Sequence, residues 1–320
     1  MTRPSSETLA NIYYEACVMD VKALKPGNVS LSSPGHGMQG GDFLLSAAVS
    51  AAILAKPEST LGERILNAVV ATREAVACNT NLGIVLLCAP LLQARLQHPD
   101  SDLSAAVEQI IADSTQDDCA ALYQAIRVAS PGGLGDVDAY DVNDDSPPAT
   151  ILQAMRAAAG HDVIAALYAS GFRALFDDYV DYLARSLRNH NDLEHAVTDL
   201  FLYLLANTPD THIRRKQGRQ AAQRVCELAK RARRHYAEAP DGASALHVLI
   251  DLDNQLKSEG LNPGTSADLC VAALVIFRLQ QQVQPEAGAT RIEAWAPKPS
   301  VASVTRLSTR HNDEGELKWQ

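Results

Sequence analysis

Four short polar segments interrupt an otherwise apolar chain, and each carries side chains able to do chemistry. Residues 24–43, "LKPGNVSLSSPGHGMQGGDF", hold Lys25, Asn28, Ser30, His36 and Asp42 among glycines at 27, 35, 37, 40 and 41. Glycine permits positive φ and lets ligand atoms approach backbone N–H groups, which suits an anion cradle. The spacing fits neither G-x-G-x-x-G nor a Walker A loop, and a long surface loop would use the same turn residues. Residues 77–92, "ACNTNLGIVLLCAPLL", set Asn79, Thr80, Asn81 and Gly83 at the head of the most apolar run. One such side chain can cap a helix. The other two are surplus to that need and suit a base, a ribose or a phosphate.

The other two segments lie late in the chain. In residues 260–274, "GLNPGTSADLCVAAL", Pro263-Gly264 makes a turn and Thr265 or Ser266 can be the N-cap. With Thr265 as N-cap, Asp268 falls at N3, as in a capping box, and only Asn262 is left without a structural task. Residues 207–236 contain nine of the chain's 28 cations, opposed only by Asp210 and Glu227. Arginine is the bidentate partner of phosphate, so Arg214, Arg215 and Lys216, beside Asp210, Thr211 and His212, point to a polyanionic small molecule. From Arg224 onward the cations read as a solvated helix face.

Helices must position these segments. Leu193, Val197, Leu200 and Leu204 repeat at 4, 3, 4, while Leu175, Tyr179, Leu183 and Leu103, Val107, Ile111 repeat at 4, 4. No stretch before the tail alternates as a strand would. Pro/Gly-rich breaks divide the chain into helix-sized segments. The expectation is an all-α domain, residues 1–282, of about ten or more packed helices with the site in its polar loops. Residues 283–320 mix Pro, Ser, Ala and charge without a period and are expected to be an extended or disordered tail.

Bulk composition excludes some function classes. The net charge of −10 argues against nucleic acid as a partner. The six cysteines show no metal spacing, and Cys17, Cys78, Cys88 and Cys270 read as small buried apolar residues in a reducing compartment. The first twenty residues contain no continuous apolar core of a signal peptide, and no apolar run is long enough to span a bilayer. A cytoplasmic protein without a membrane partner is expected, with homo-oligomerisation left open.

In chain order, "KPGNVS" (25–30), "NTNLGIVLLCAPL" (79–91), "DTHIRRKQG" (210–218) and "LNPGTSADL" (261–269) resemble the triphosphoribosyl-dephospho-CoA synthases, ATP:dephospho-CoA triphosphoribosyltransferases. Each motif is weak alone; four in order are specific. The resemblance implies an all-helical fold and an enzyme that joins ATP to the 2′-hydroxyl of dephospho-CoA with release of adenine. It implies Mg²⁺ with the ATP. Asp42, Asp210 and Asp268 are then the candidate carboxylates, with metal binding and proton acceptance left undivided between Asp210 and Asp268. His36 and His212 are candidate donors. Lys25, Arg215 and Lys216 would meet phosphates, and Asn28, Asn79, Asn81 and Asn262 the ribose and base. Gly27, Ser30, Thr80, Gly83, Thr211, Gly264, Thr265 and Ser266 complete the candidate binding set.

The chain departs from the usual pattern. "GHGM" at 35–38 lacks an acidic residue after His36, Gln217 replaces a glycine, and Asp20 stands where relatives often carry Glu. "SPGGLGDVDAYDVNDD" and "HDVIAALYASGF" are similar to a divergent branch found in archaea and methylotrophic bacteria. Two alternatives therefore stand beside the leading one: the same fold acting in tetrahydromethanopterin or methanofuran (C1-carrier) cofactor biosynthesis on a related precursor, or a non-catalytic nucleotide-binding subunit.

Overall fold

The computed structural model describes residues 4–131 and 149–283, so residues 132–148 and all but the first residue of the expected tail lie outside the described residues. Fourteen α-helices and one π-helical turn, with no β-strand, make up the described residues. They are α1 (Ser6–Lys22), α2 (Gly40–Leu54), α3 (Leu61–Val76), α4 (Leu82–Gln97), α5 (Leu103–Ala112), α6 (Gln116–Ala129) and α7 (Ile151–Ala158). There follow α8 (Val163–Ala169), the π turn (Leu175–Tyr179), α9 (Val180–His190), α10 (Leu193–Asn207), α11 (Thr211–Gln217), α12 (Arg219–Ala237), α13 (Gly242–Ser258) and α14 (Gly264–Val283).

Local chemistry starts most of them. Thr60 with Glu63, Thr115 with Asp118 and Thr150 with Gln153 form reciprocal capping boxes on α3, α6 and α7. Asp102, Asp162, Asp192 and Asp241 each accept a hydrogen bond from an N–H of the helix they precede. The apolar stripes expected on α5 and α10 are buried at Leu103, Val107, Ile111, Leu193, Val197, Leu200 and Leu204. Leu175–Leu183 spans the π turn and α9.

Two helices are buried on every side over most of their length. In α4 every residue from Ile84 to Leu96 is buried, and in α14 every residue from Leu269 to Ile276. A helix apolar all round belongs inside a larger assembly. Accordingly α14 packs on α1, α4, α9 and α10, and α4 also on α5 and α3. Pro90 interrupts α4 and cannot donate to the carbonyl of Leu86. The Tyr168 hydroxyl from α8 donates to that carbonyl instead, at 2.6 Å. The central pair α4 and α14 are the helices whose first turns carry the second and third polar segments. Of the six cysteines, all free, five are buried and Cys78 is partly so. No helix of the described residues is long and apolar enough to cross a membrane.

Candidate active site

The four polar segments, spread over 240 residues of sequence, meet around the first turn of α14. One residue joins two of them. Asp210 is buried and precedes α11; its Oδ1 accepts from the N–H groups of His212 (2.9 Å) and Ile213 (3.2 Å). Its Oδ2 accepts from the Ser266 N–H and hydroxyl, both at 2.8 Å. One carboxylate thus caps two helices, where their partial positive ends favour an anion. Thr265 completes the joint: its Oγ1 accepts from His212 N at 3.1 Å and pairs with the Thr211 hydroxyl at 3.2 Å. Four hydrogen bonds fill the acceptor capacity of a carboxylate, and in this geometry Asp210 clamps α11 to α14. The expected Thr265–Asp268 capping box gives way. The helix begins at Gly264, two residues before the Ser266 start that a Thr265 N-cap requires, and the Ser266 N–H is capped from outside by Asp210.

The first segment is held from the other side by residues that sequence reasoning missed. Asp253 on α13 accepts from the Gly27 N–H (2.7 Å), the Ser33 hydroxyl (2.6 Å) and Lys257 (3.0 Å). Gly27 has φ +83°, and a Cβ there would sit 2.9 Å from Leu256 and Pro263, so this turn takes only glycine. Asn28 donates to the Asn262 carbonyl at 2.8 Å, giving Asn262 the partner it lacked in the sequence. Neither amide makes a further hydrogen bond among the described residues. Lys25 is fully buried and paired with Asp20 at 3.1 Å, and it also donates to the Asp20 carbonyl. It is an internal cation, and the expectation of a phosphate contact is corrected. Ser30 is buried beside Ser32, at 3.3 Å. His36, exposed at φ +56°, is bonded through Nε2 to the Gly27 carbonyl at 2.8 Å.

The Asn79-Thr80-Asn81 triplet is largely spent inside the protein, contrary to its expected ligand role. Asn79 accepts from the Leu82 N–H (3.2 Å), which starts α4. The Thr80 hydroxyl pairs with Ser46 (2.6 Å), and Asn81 donates to Ser50 (3.4 Å), which in turn pairs with Tyr13 (3.0 Å). The triplet fastens α4 to α2 and α1.

Asp268 stands out by contrast. It is partly accessible, and no hydrogen bond to it is formed among the described residues. Its carboxylate lies so close against Gly83 that a Cβ there would come within 2.0 Å of Oδ2. Burial, then the charges of Asp20 and Asp210, push its pKa well above the usual carboxylate range, while Arg215 pulls it back. Arg215 reaches Asp162, the cap of α8, at 3.6 Å, and Arg214 meets His161 at 3.3 Å. Asp162 is not among the residues the sequence singles out; its place just before a helix is the signal that could have found it. His212 is held neutral: burial, with Lys216, Arg215 and His36 nearby, pulls its pKa down to about 3. Its Nε2 is buried without a partner among the described residues, and Gly264 leaves room for Nδ1, since a Cβ there would lie 2.9 Å away. Burial also lowers Lys216. Asp42 caps α2 through the Gln39 N–H at 2.8 Å. Among the described residues no three His, Cys, Asp or Glu side chains converge to hold a metal, so Asp42, Asp210 and Asp268 do not form a shared ligand set.

Comparison with known proteins agrees with this fold. The family model of the ATP:dephospho-CoA triphosphoribosyl transferases matches residues 6–286. A search of curated proteins finds no match. A crystal structure from Archaeoglobus fulgidus, described as that of a triphosphoribosyl-dephospho-CoA synthase, is similar with a TM-score of 0.58 and 22% identity. The similarity covers 74% of this chain and 98% of that one, and at such identity it speaks to the fold. The match spans every described helix and all four motifs now seen to meet at α14, and the chain therefore belongs to the ATP:dephospho-CoA triphosphoribosyl transferase family and is a transferase.

Proposed function

We propose that the chain transfers the triphosphoribosyl group of ATP to the 2′-hydroxyl of dephospho-CoA and releases adenine. The observation that carries this reading is Asp268, an uncommitted, partly accessible carboxyl with a raised pKa at the point where the four motifs meet. A carboxylate whose pKa has been raised is a better proton acceptor than an ordinary one. The 2′-oxygen forms a bond to C1′ of the ATP ribose as the C1′–N9 bond breaks. The hydroxyl proton goes to Asp268, and adenine leaves with the bonding electrons and takes a proton from solvent. The same negative charge stabilises the cationic sugar between bond breaking and bond making. His212, neutral throughout the physiological range, serves as a hydrogen-bond donor to the departing base rather than as a proton source.

Arg215 and Lys216 face the triphosphate, and the remaining valences of Asn28 and Asn262 address ribose and base. The donor set suits a Mg²⁺ that arrives on the triphosphate. Asp210 is saturated and Asp42 caps α2, so with Asp268 taken as the proton acceptor such an ion would be held mainly by the phosphates themselves. When bound, such an ion neutralises phosphate charge. Nothing in the geometry or the comparisons favours the C1-carrier or the non-catalytic reading. Incubation with ATP, Mg²⁺ and dephospho-CoA should release adenine, measured by chromatography. Asp268→Asn should slow it by roughly 10²-fold or more. No adenine from the wild type sinks the proposal.

A further inference from the structure

A second site lies at the far end of α12. Residues 230–234 stand about 17–22 Å along that helix from Arg219, where α12 adjoins α11 and the active site. Here α9, α10, α12 and α13 enclose a cleft of about 1170 Å³, ample for a ligand of nucleotide size. The sequence had suggested an ordinary solvated helix face.

The acids of the cleft are committed. Asp199 accepts from Tyr182 (3.0 Å) and Ser186 (2.8 Å), Glu227 pairs with Lys230 (2.7 Å), and Asp241 caps α13 through Ser244 N–H (2.8 Å). Arg231 and Arg234, three residues apart on one face of α12, are exposed and make no bond among the described residues. Between them Arg233 lies over Tyr203 (5.2 Å) and Tyr182 (5.6 Å) with its Nε buried and unpartnered. The same cleft is lined by a row of flat rings. His190 and His195 stack at 4.0 Å, and Tyr236 tilts against His195 at 5.4 Å while its hydroxyl bonds the His195 ring at 3.0 Å. His190 is exposed, so its outer face can carry one more ring.

We infer that this cleft binds a nucleoside phosphate, with the phosphate forked by Arg231 and Arg234 and the base stacked on the His190–His195 pair. Two arginines one turn apart, neither of them hydrogen-bonded among the described residues, suit one phosphate group, and the stacked imidazoles extend a pile that a base would continue. The site is separate from the transfer reaction and does not rest on it.

The test uses AMP, adenosine and inorganic phosphate on the full chain, read by the ring signals of His190 and His195 in NMR, assigned with His195→Gln. AMP should shift both signals saturably, with each fragment at least tenfold weaker. An Arg231→Ala/Arg234→Ala double variant should keep the wild-type melting temperature and bind AMP at least tenfold more weakly. Asp268→Asn should leave the shift intact, which separates this site from the active one. Unmoved histidine signals, or equal AMP affinity in the double variant, would overturn the inference; adenine release has no bearing on it.

Discussion

Asp210→Asn decides whether the buried aspartate is a clamp or a chemical group. Asparagine keeps the shape but turns one acceptor oxygen into a donor. Placed toward α11, the new NH2 faces the N–H groups of His212 and Ile213; placed toward α14, it faces the Ser266 N–H. Either way at least one buried N–H loses its partner, at about 1–3 kcal/mol. The charge that favoured two helix N-termini goes too, adding up to about 1 kcal/mol at each. The expected destabilisation is about 2–4 kcal/mol, a shift of the urea midpoint near 1 M for an m-value of about 3 kcal/mol/M. Ser266→Ala should cost about 1 kcal/mol or more alone and less in the Asp210→Asn background, because its hydroxyl then bonds a neutral amide instead of a carboxylate. An Asp210→Asn protein with unchanged stability and abolished turnover would refute the clamp and restore the catalytic assignment.

Gly83→Ala should lower turnover by roughly 10²-fold, as expected for a misplaced reacting group, because the new methyl occupies the place of the Asp268 carboxylate; an active Gly83→Ala enzyme would mean Asp268 is not at the reaction. Lys25→Met should destabilise by about 3–5 kcal/mol in denaturant titration by stranding Asp20, and Lys25→Met/Asp20→Asn should recover part of that. His212 should make stability fall on acidification. Its folded pKa, about 3, lies below the unfolded value near 6.5, so the unfolded chain binds the extra proton, and stability is lost as pH falls from about 6.5 toward 3. At pH 5 the loss is about 2 kcal/mol, and it should remain in the difference between wild type and His212→Asn, where the contributions of carboxyls common to both cancel.

The helical fold was readable because apolar spacing is a local property: the stripes at 103–111 and 193–204 needed only their own segments. The polar segments were also readable, as clusters too polar for their apolar surroundings. Their division of labour was not. Asp210 looks like a free carboxylate until Ser266, 56 residues away, supplies the other half of its hydrogen bonds. Lys25 looks like a phosphate ligand until its burial with Asp20 is seen. Asp253 carries no local signal at all, since an aspartate and a lysine four apart adorn many helices. Arg231 and Arg234 become a site only through His190 and His195, which another helix and its neighbour bring across.

The inward position of α14 also bears on how the chain is made. The surfaces of α1 and α4 that it covers are synthesised long before it. Lys22 and Val283 lie 261 residues apart, so at about 5–20 residues per second roughly 13–50 s separate their emergence. During that interval two apolar helices wait for their central partner. The nascent protein therefore depends on being kept from premature association until almost the last of its described residues leaves the ribosome.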